Sequence, residues 1–273
     1  MMKKILFIND GSDASVMAAK NVMHIAQQHQ ANILIANLKK KPKQVFVTAG
    51  RSGKPGLPVL ELEQDLNSDL FEATLDKFVP AINELDASAL VISELADVIN
   101  GQDVWMVVRG YATDSGSASE FGGFCSILSR IGCPLLLLPD KGGIISFERI
   151  AYLTDLRYCQ LNIVRFLASF GKPFNAHILL AHLAAKGLPD MEQTYARSLF
   201  KETIGSIVRY EKLGFDNIKE KQTQKVLDVL VHGMQNELLV MVNNHLHCDE
   251  VIELFKGGQE DMPPAVPFLI FPY

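Results

Sequence analysis

The chain has 273 residues, 48% of them hydrophobic, which is enough for the cores of one or two globular domains. Its formal net charge of −5 argues against a nucleic-acid partner, because phosphate contacts require a basic surface. No stretch approaches the roughly 20 apolar residues that span a bilayer, so no membrane partner is expected. The first apolar run ends at Asn9, too early for a signal peptide. The four cysteines lack paired spacing, which is typical of reduced thiols, and we expect a cytoplasmic protein.

The chain opens with a short apolar run, residues 5–8, that stops at a polar turn. A run of this length is typical of a strand buried on both faces of a parallel sheet. Asp10, Gly11 and Ser12 form the turn, and Ser12 or Asp13 can cap the helix that follows. A strand, a glycine turn with a carboxylate and a helix N-terminus together form an arrangement with which α/β proteins bind anions and nucleotides.

The rest of the first half alternates strands with helices. A lysine-rich and glycine-rich segment, residues 39–56, is predicted to be an exposed excursion. Further predicted strands lie at residues 33–38, 90–92, 104–108 and 134–138. Predicted helices lie at residues 16–26, 70–82, 96–100 and 119–131, and the third of these is unusually short.

The sequence contains an internal repeat. Residues 4–10 match residues 149–155, and residues 32–38 match residues 177–183, with the same separation of 145 positions in both cases. Two apolar strands with one shared separation predict two copies of a single structural unit.

The repeat divides the chain into two predicted domains, residues 1–142 and 143–273, with a short flexible linker at residues 140–143. Predicted later strands of the second half lie at residues 218–222, 238–242 and 266–271. Because strands and helices alternate in both halves, each is predicted to be an α/β unit with a parallel sheet and helices on both faces.

The chain resembles a tandem universal stress protein. The resemblance rests on the opening Lys-Lys-Ile-Leu-Phe-Ile-Asn-Asp-Gly-Ser, on the alternating order in both halves, and on the ending Cys-Pro-Leu-Leu-Leu-Leu-Pro at residues 133–139. It implies two tandem Rossmann-like domains of the adenine nucleotide alpha hydrolase type, each with a five-stranded parallel sheet. It also implies that the domains pair through their last strands, residues 134–138 and 267–271, as an intramolecular pseudo-dimer.

Nucleotide-binding members of that family carry Gly-x2-Gly-x9-Gly-Ser/Thr after the fourth strand. The glycines let the backbone approach phosphates, and the amides of the next helix bind them. Without gaps, the fixed positions fall on Arg109, Ala112, Gly122 and Gly123 in the first half, where only the third is kept. The resemblance therefore implies an impaired phosphate loop in this domain.

The second half retains less of the same motif. Its fixed positions fall on Asn243, Leu246, Lys256 and Gly257. Leu246 and Lys256 carry side chains where the backbone would have to approach a phosphate, so we expect no triphosphate site there. Asp155 is the counterpart of Asp10 in the repeat.

Two functional hypotheses stay open. The first is a stress-response binding or regulatory module without efficient catalysis, because no catalytic set of side chains is evident. The second is an ATP-binding stress protein with a slow ATPase in the first domain. The residues that would bind the nucleotide in that case are Asp10, Gly11, Ser12, Gly110, Gly122 and Gly123. Asp10 can instead be a turn acid bonded to nearby amides.

More remote alternatives also stay open. His245, His247 and Cys248 could bind Zn²⁺, but no fourth ligand is evident and a polar loop is the simpler interpretation. A relative of the ATP pyrophosphatases or the electron-transfer flavoproteins would share this general sheet topology. The partners that stay open are a second copy of the chain, a regulatory protein and a small ligand.

Overall fold

The computed structural model describes residues 2–39, 78–113, 126–185, 187–243, 248, 250–251 and 265–272. The strands in these ranges are β1 (Lys4–Asn9), β2 (Asn32–Asn37), β3 (Ile82–Asp86), β4 (Met106–Tyr111), β5 (Leu135–Pro139), β6 (Arg149–Thr154), β7 (His177–His182), β8 (Leu213–Asn217), β9 (Leu238–Val242) and β10 (Phe268–Phe271). They form one sheet in the order β3-β2-β1-β4-β5-β10-β9-β6-β7-β8.

Each half of this sheet contains five strands, and every strand pair within a half is parallel. The predicted α/β class and the parallel sheets are therefore confirmed. The halves meet where β5 pairs antiparallel with β10, with Leu136 opposite Leu269 at the centre of the register. One continuous sheet consequently runs through both halves.

The described helices lie on both faces of the sheet. They are α1 (Asp13–His29), α2 (Ile92–Gly101), α3 (Leu161–Gly171), α4 (Gln193–Leu199) and α5 (Thr223–Asp228). One π-helical turn each extends α4 and α5, at Phe200–Gly205 and Val229–Gly233. None of the helices in the described ranges has both the length and the apolar character needed to cross a bilayer.

Apolar side chains on both sides of the strands bury the sheet. In β1, Ile5 packs in the same core cluster as Val22 of α1, whereas Leu6 packs in the cluster that contains Leu95 of α2. Successive side chains of a strand point to opposite faces, so a strand covered on both faces is apolar along its whole length. This is why the short apolar runs predicted the central strands well.

The prediction for the third strand was wrong. Residues 90–92 are not a strand, because Ile92 begins α2 and the Val91 N–H donates to Glu94 Oε2 at 3.0 Å. The third strand is β3, at the outer edge of the sheet, and Ile82, which was predicted to be helical, begins it. An edge strand is partly solvated, so its sequence Ile-Asn-Glu-Leu-Asp carries little apolar signal. The following helix has 10 residues and is not stunted.

The other outer strand was also misplaced. Residues 218–222 were predicted to be a strand, but the strand is β8, Leu213–Asn217, at the opposite edge of the sheet. All five of its residues are only partly buried. Ile218 follows the strand, and its N–H still donates to the His182 carbonyl at 2.9 Å. Both errors therefore fall on edge strands, where the apolar pattern is weakest.

The segment between the halves is held at its end. Gly142 has a φ of 108°, which glycine adopts readily, and lies in an exposed stretch. Beyond it, the Ile145 N–H donates to Asn21 Oδ1 at 2.9 Å and the Glu148 N–H donates to Glu237 Oε2 at 2.6 Å. These two hydrogen bonds hold the segment between the halves against α1 of the first half and against the residue before β9 of the second half.

A close approach of α1 to β4 fixes the first turn of this helix. Gly110 is buried in β4, and a Cβ atom there would lie 2.3 Å from the Ala14 carbonyl oxygen and 2.9 Å from the Ser15 nitrogen. No side chain fits at this distance without a shift of the backbone. The absence of a side chain at Gly110 thus sets where the polar turn after β1 lies relative to β4.

We expect Gly110→Ala to lower the free energy of unfolding by about 1–3 kcal/mol or more, because the added methyl must displace the first turn of α1. Gly101→Ala is the matched control, since a Cβ at Gly101 would meet no atom within 4 Å. Urea denaturation of both variants and the wild type measures the difference. Equal stability of the two variants would contradict the constraint.

Candidate functional site

The candidate site lies at the carboxyl ends of β1 and β4. These strands are neighbours in the sheet, yet the chain continues from β1 to β2 on one side and from β4 to β5 on the other. Such a change of direction opens a crevice in which open α/β sheets bind ligands. Asp10 follows β1 directly, and Arg109 lies near the end of β4.

Asp10 is the centre of a dense set of hydrogen bonds. Its Oδ1 accepts from the Ser12 N–H at 3.0 Å, from Ser12 Oγ at 2.6 Å and from Ser15 Oγ at 2.6 Å. Its Oδ2 accepts from Arg109 Nη2 at 3.1 Å. The side chains of Asp10 and Arg109 are 20% and 18% exposed, so the ion pair lies just below the surface.

These contacts hold Asp10 in its charged form. Burial alone would favour the neutral acid, but the hydrogen bonds from Ser12 and Ser15 and the charge of Arg109 outweigh it and lower the pKa of Asp10 to about 2. The carboxylate therefore stays ionised across the physiological range, with both oxygens engaged by the protein itself.

The neighbouring glycine and serine have structural roles in this turn. Gly11 has a φ of 71°, which an L side chain rarely adopts, and a Cβ there would lie 3.5 Å from Lys39 Cδ. Ser12 is the N-cap of α1, and its Oγ accepts from the Ser15 N–H at 3.3 Å. The structure thus brings together three of the predicted residues, Asp10, Gly11 and Ser12, at the start of α1.

The remaining predicted residues are placed differently. Gly110 is close to the same turn, but it contacts the backbone of Ala14 and Ser15 in the first turn of α1. Gly122 and Gly123 lie outside the described residues. Of the metal-site candidates, His245 and His247 also lie outside them, and Cys248 is buried. In the part of the chain that the structure describes, no cluster of three or more His, Cys, Asp or Glu side chains could hold a metal ion.

At the equivalent position of the second half, the acid is bonded entirely by groups of the protein itself. Asp155 is fully buried, and Arg157 binds it through Nε at 2.8 Å and Nη2 at 2.5 Å. Its Oδ2 also accepts from the Ala185 N–H at 2.9 Å. Burial opposes ionisation, but the hydrogen bonds from Arg157 and Ala185 outweigh it and lower the pKa of Asp155.

His182 completes this closed arrangement. Its Nδ1 accepts from the Leu156 N–H at 3.2 Å and lies 3.8 Å from Asp155 Oδ1. Burial and the charge of Arg157 lower the pKa of His182 despite the nearby carboxylate, so the ring is neutral near pH 7. Asp155, Arg157 and His182 therefore form a polar cluster at the end of β6, in which Asp155 and His182 are buried and Arg157 is partly exposed.

The strand register explains why the two halves differ at this point. Ile5 pairs with Met106 in β4, whereas its repeat counterpart Ile150 pairs with Leu238 in β9. Counting along these strands makes Val242 the equivalent of Gly110, so a bulky residue stands in the second half where the first has a glycine. A short 3-10 turn, Leu156–Tyr158, follows β6, and α3 begins only at Leu161. By the same count the equivalent of Arg109 is Met241 rather than Asn243, which corrects the ungapped alignment of the motif in the second half.

The sequence placed Arg109 only at a position of the glycine motif and suggested no role for Arg157, so the pairing of each with the acid of its half was missed. A signal existed for Arg109, because β1 and β4 are neighbours and an arginine near the end of one lies beside the acid that follows the other. For Arg157, the signal was its spacing of two residues from Asp155. Neither pattern determines the side-chain conformation.

The sequence has limited similarity to known proteins. No family model matches the sequence. Among curated proteins, the chain is 28% identical over 128 residues to ribosomal RNA small subunit methyltransferase G of Rhodococcus jostii strain RHA1. The match covers 46% of this chain and 51% of that protein, so the chain spans about half the length of the curated relative.

Solved structures match over almost the whole chain. A universal stress protein from Archaeoglobus fulgidus DSM 4304 aligns with a TM-score of 0.58 and 12% identity, covering 98% of this chain and 97% of that one. The chain has the universal stress protein fold. A further structure, described as a universal stress protein of Pseudomonas aeruginosa UCBPP-PA14, shares this fold with a TM-score of 0.57, 12% identity and coverage of 99% and 93%. At such identity, the likeness concerns the fold alone.

We expect Asp10→Asn to lower the free energy of unfolding by about 1–3 kcal/mol at pH 7, because charge-assisted hydrogen bonds from Ser12, Ser15 and Arg109 are weakened. Since folding lowers the pKa of Asp10 from 3.8 to about 2, its contribution is complete above about pH 4 and is lost as the pH falls towards 2. Urea midpoints measured across this range test the sign.

The matched control is Asp13→Asn, which removes the same charge from an exposed position in the first turn of α1. Its effect should be about 1 kcal/mol or less, the usual size of a charge interaction with a helix N-terminus. A loss for Asp10→Asn no larger than that of the control would contradict the role assigned to the Asp10 carboxylate.

Proposed function

We propose that this chain is a stress-response module of the universal stress protein type that acts by binding or regulation, without efficient catalysis. The fold supports the stress-response assignment. The observation that carries the proposal is the ion pair between Arg109 and Asp10, 3.1 Å apart at the end of β1. A ligand that needed this carboxylate would have to replace an internal partner.

The resemblance to nucleotide-binding universal stress proteins places the equivalent acid beside the adenine and ribose. In this chain, Asp10 is already bonded to Ser12, Ser15 and Arg109. Arg109 also occupies the position of the first motif glycine. Breaking a partly buried, hydrogen-bonded ion pair costs free energy that ligand binding must offset. ATP binding in the first domain is therefore proposed to be weak or absent.

The second domain is proposed to bind no nucleotide at the corresponding position. Asp155 is completely buried beneath Arg157, and His182 lies beside it. Opening this site would expose or leave unpaired a buried carboxylate, which is strongly unfavourable. Any ligand of the protein is thus proposed to bind the first domain or the surface that the two domains form together.

The organisation proposed for the module is a pair of tandem domains, residues 1–142 and 143–273, joined as an intramolecular pseudo-dimer. The antiparallel pairing of β5 with β10 and the equal strand order of the halves support this arrangement. We propose a cytoplasmic location on the sequence grounds given above. An RNA substrate such as that in the name of the methyltransferase relative would need a basic surface, and the net charge of −5 argues against it.

A second candidate function is an ATP-binding stress protein with a slow ATPase in the first domain. One observation favours it: the Asp10 side chain is 20% exposed and lies at the N-terminus of α1, where an anion would also be stabilised. In this case a nucleotide would replace Arg109 as the partner of Asp10.

Calorimetric titration of the purified full chain with MgATP separates the two candidates. We expect no measurable binding to the wild type and no nucleotide released when the protein is denatured. Asp10→Ala and Asp13→Ala are titrated in parallel. Binding that is lost in Asp10→Ala but kept in Asp13→Ala, or nucleotide released in near-stoichiometric amounts from the wild type, would overturn the first proposal in favour of the second.

A further inference from the structure

Aromatic rings from both halves meet in one cluster beside the sheet. His29, the last residue of α1, lies 4.7 Å from the ring of Trp105 and stacks on Phe170 of α3 at 5.2 Å between ring centres. Trp105 in turn stacks on Phe166 of α3 at 5.3 Å. The further rings in contact with these are Phe147 from the segment between the halves, Phe174 from the turn after α3 and Phe271 of β10. We call this set the His29 cluster.

A cation lies at the edge of the His29 cluster. The Lys3 ammonium is 4.1 Å from the centre of the Trp105 ring, a cation–π distance, and 3.4 Å from His29 Nδ1. An ammonium group can only donate, so His29 Nδ1 is the acceptor and the neutral ring carries its proton on Nε2. That Nε2 is buried and forms no hydrogen bond of good geometry with the described residues, although the Phe170 carbonyl is near enough to favour the charged ring.

Protonation of His29 is unfavourable for two physical reasons. The imidazolium would be buried among aromatic rings, and its new N–H on Nδ1 would point at the Lys3 ammonium. Burial and the charge of Lys3 lower the pKa of His29 to about 3, against a small opposite influence of the Phe170 carbonyl. Burial also lowers the pKa of Lys3.

One more titratable side chain borders the cluster, and it lies on α1 itself: His24 packs against Phe174 at 5.7 Å between ring centres. α3 and the turn after it contribute the rings of Phe170 and Phe174, and the residue before β4 contributes Trp105. Among these contacts no carboxylate faces His29, so none compensates a charge on the imidazole.

We propose that the His29 cluster is an acid-sensitive contact between the two halves. At neutral pH the uncharged ring joins α1 to α3. Proton uptake places a second cation beside Lys3 within the aromatic contact and loosens the packing of the two helices. The inference is independent of the proposed function, because it concerns the free protein and its test uses no ligand.

The pH window follows from the direction of the pKa shift. Folding lowers the pKa of His29 from 6.5 to about 3, so the folded state binds this proton less well than the unfolded state does. The resulting penalty is absent above about pH 6.5 and grows as the pH falls towards 3. At about pH 4.5 it amounts to a decrease of up to about 100-fold in the folding equilibrium constant.

The test compares the wild type with His29→Phe, which keeps a ring in the cluster but cannot titrate. Urea denaturation at about pH 7.5 and about pH 4.5 should show that the variant loses up to about 100-fold less in folding equilibrium constant than the wild type. Trp105 is the only tryptophan of the chain, so its fluorescence reports on the cluster directly. A pH-dependent change that is present in the wild type should be absent in the variant.

Three further variants make the outcome decisive. His232→Gln removes an exposed histidine elsewhere and should behave as the wild type does. His29→Gln replaces His29→Phe if that variant does not fold. Lys3→Met removes the facing cation and so raises the pKa of His29 in the folded state. The midpoint of the Trp105 fluorescence titration, recorded on the folded protein without urea, should therefore move to higher pH. The proposal is overturned if His29→Phe loses stability on acidification as steeply as the wild type, or if Lys3→Met leaves the midpoint unchanged.

Discussion

The antiparallel pairing of β5 with β10 is the contact on which the rest of the molecule depends. Both strands are completely buried and carry only apolar side chains and proline. Separated, each half would expose an apolar edge strand with unpaired backbone groups. Their pairing covers both edges and gives the two cores one continuous sheet. It also makes the strands of the two halves run in opposite directions, so the strand ends that carry Asp10 and Asp155 point away from each other.

The sequence predicted the central strands of the sheet correctly and misplaced the two outer strands. Strands buried on both faces, such as β1, β5 and β9, are unbroken apolar runs, and in a chain that alternates strands with helices such short runs are typical of central strands. The outer strands β3 and β8 are partly solvated, and their mixed composition resembles that of loops. Residues 90–92 look like a strand because the N-cap Val91 and the first helical residue, Ile92, are both apolar although they are exposed.

The sequence predicts the backbone arrangement of the candidate site but not the contacts of its side chains. The spacing of Asp10, Gly11 and Ser12 between a strand and a helix is enough to predict a turn with an acid and a cap. The side chain that pairs with Asp10 comes from β4, about a hundred positions away in the sequence. The rotamer of Arg109 follows from packing that no short motif encodes. For the same reason, Gly110 looked like a residue for approaching phosphate, whereas its contact is with the backbone of α1.

The polar character of β3 and β8 has a consequence for how the protein behaves at high concentration. A sheet with ten strands ends in two rows of backbone groups that could recruit strands from other molecules and grow into aggregates. β3 carries Glu84 and Asp86, and β8 carries Asp216, so acidic residues lie on both outer strands of the described sheet, and charged residues on an outer strand disfavour the addition of another strand. The polar composition that made β3 and β8 hard to recognise in the sequence therefore also opposes the pairing of these strands with another copy of the chain.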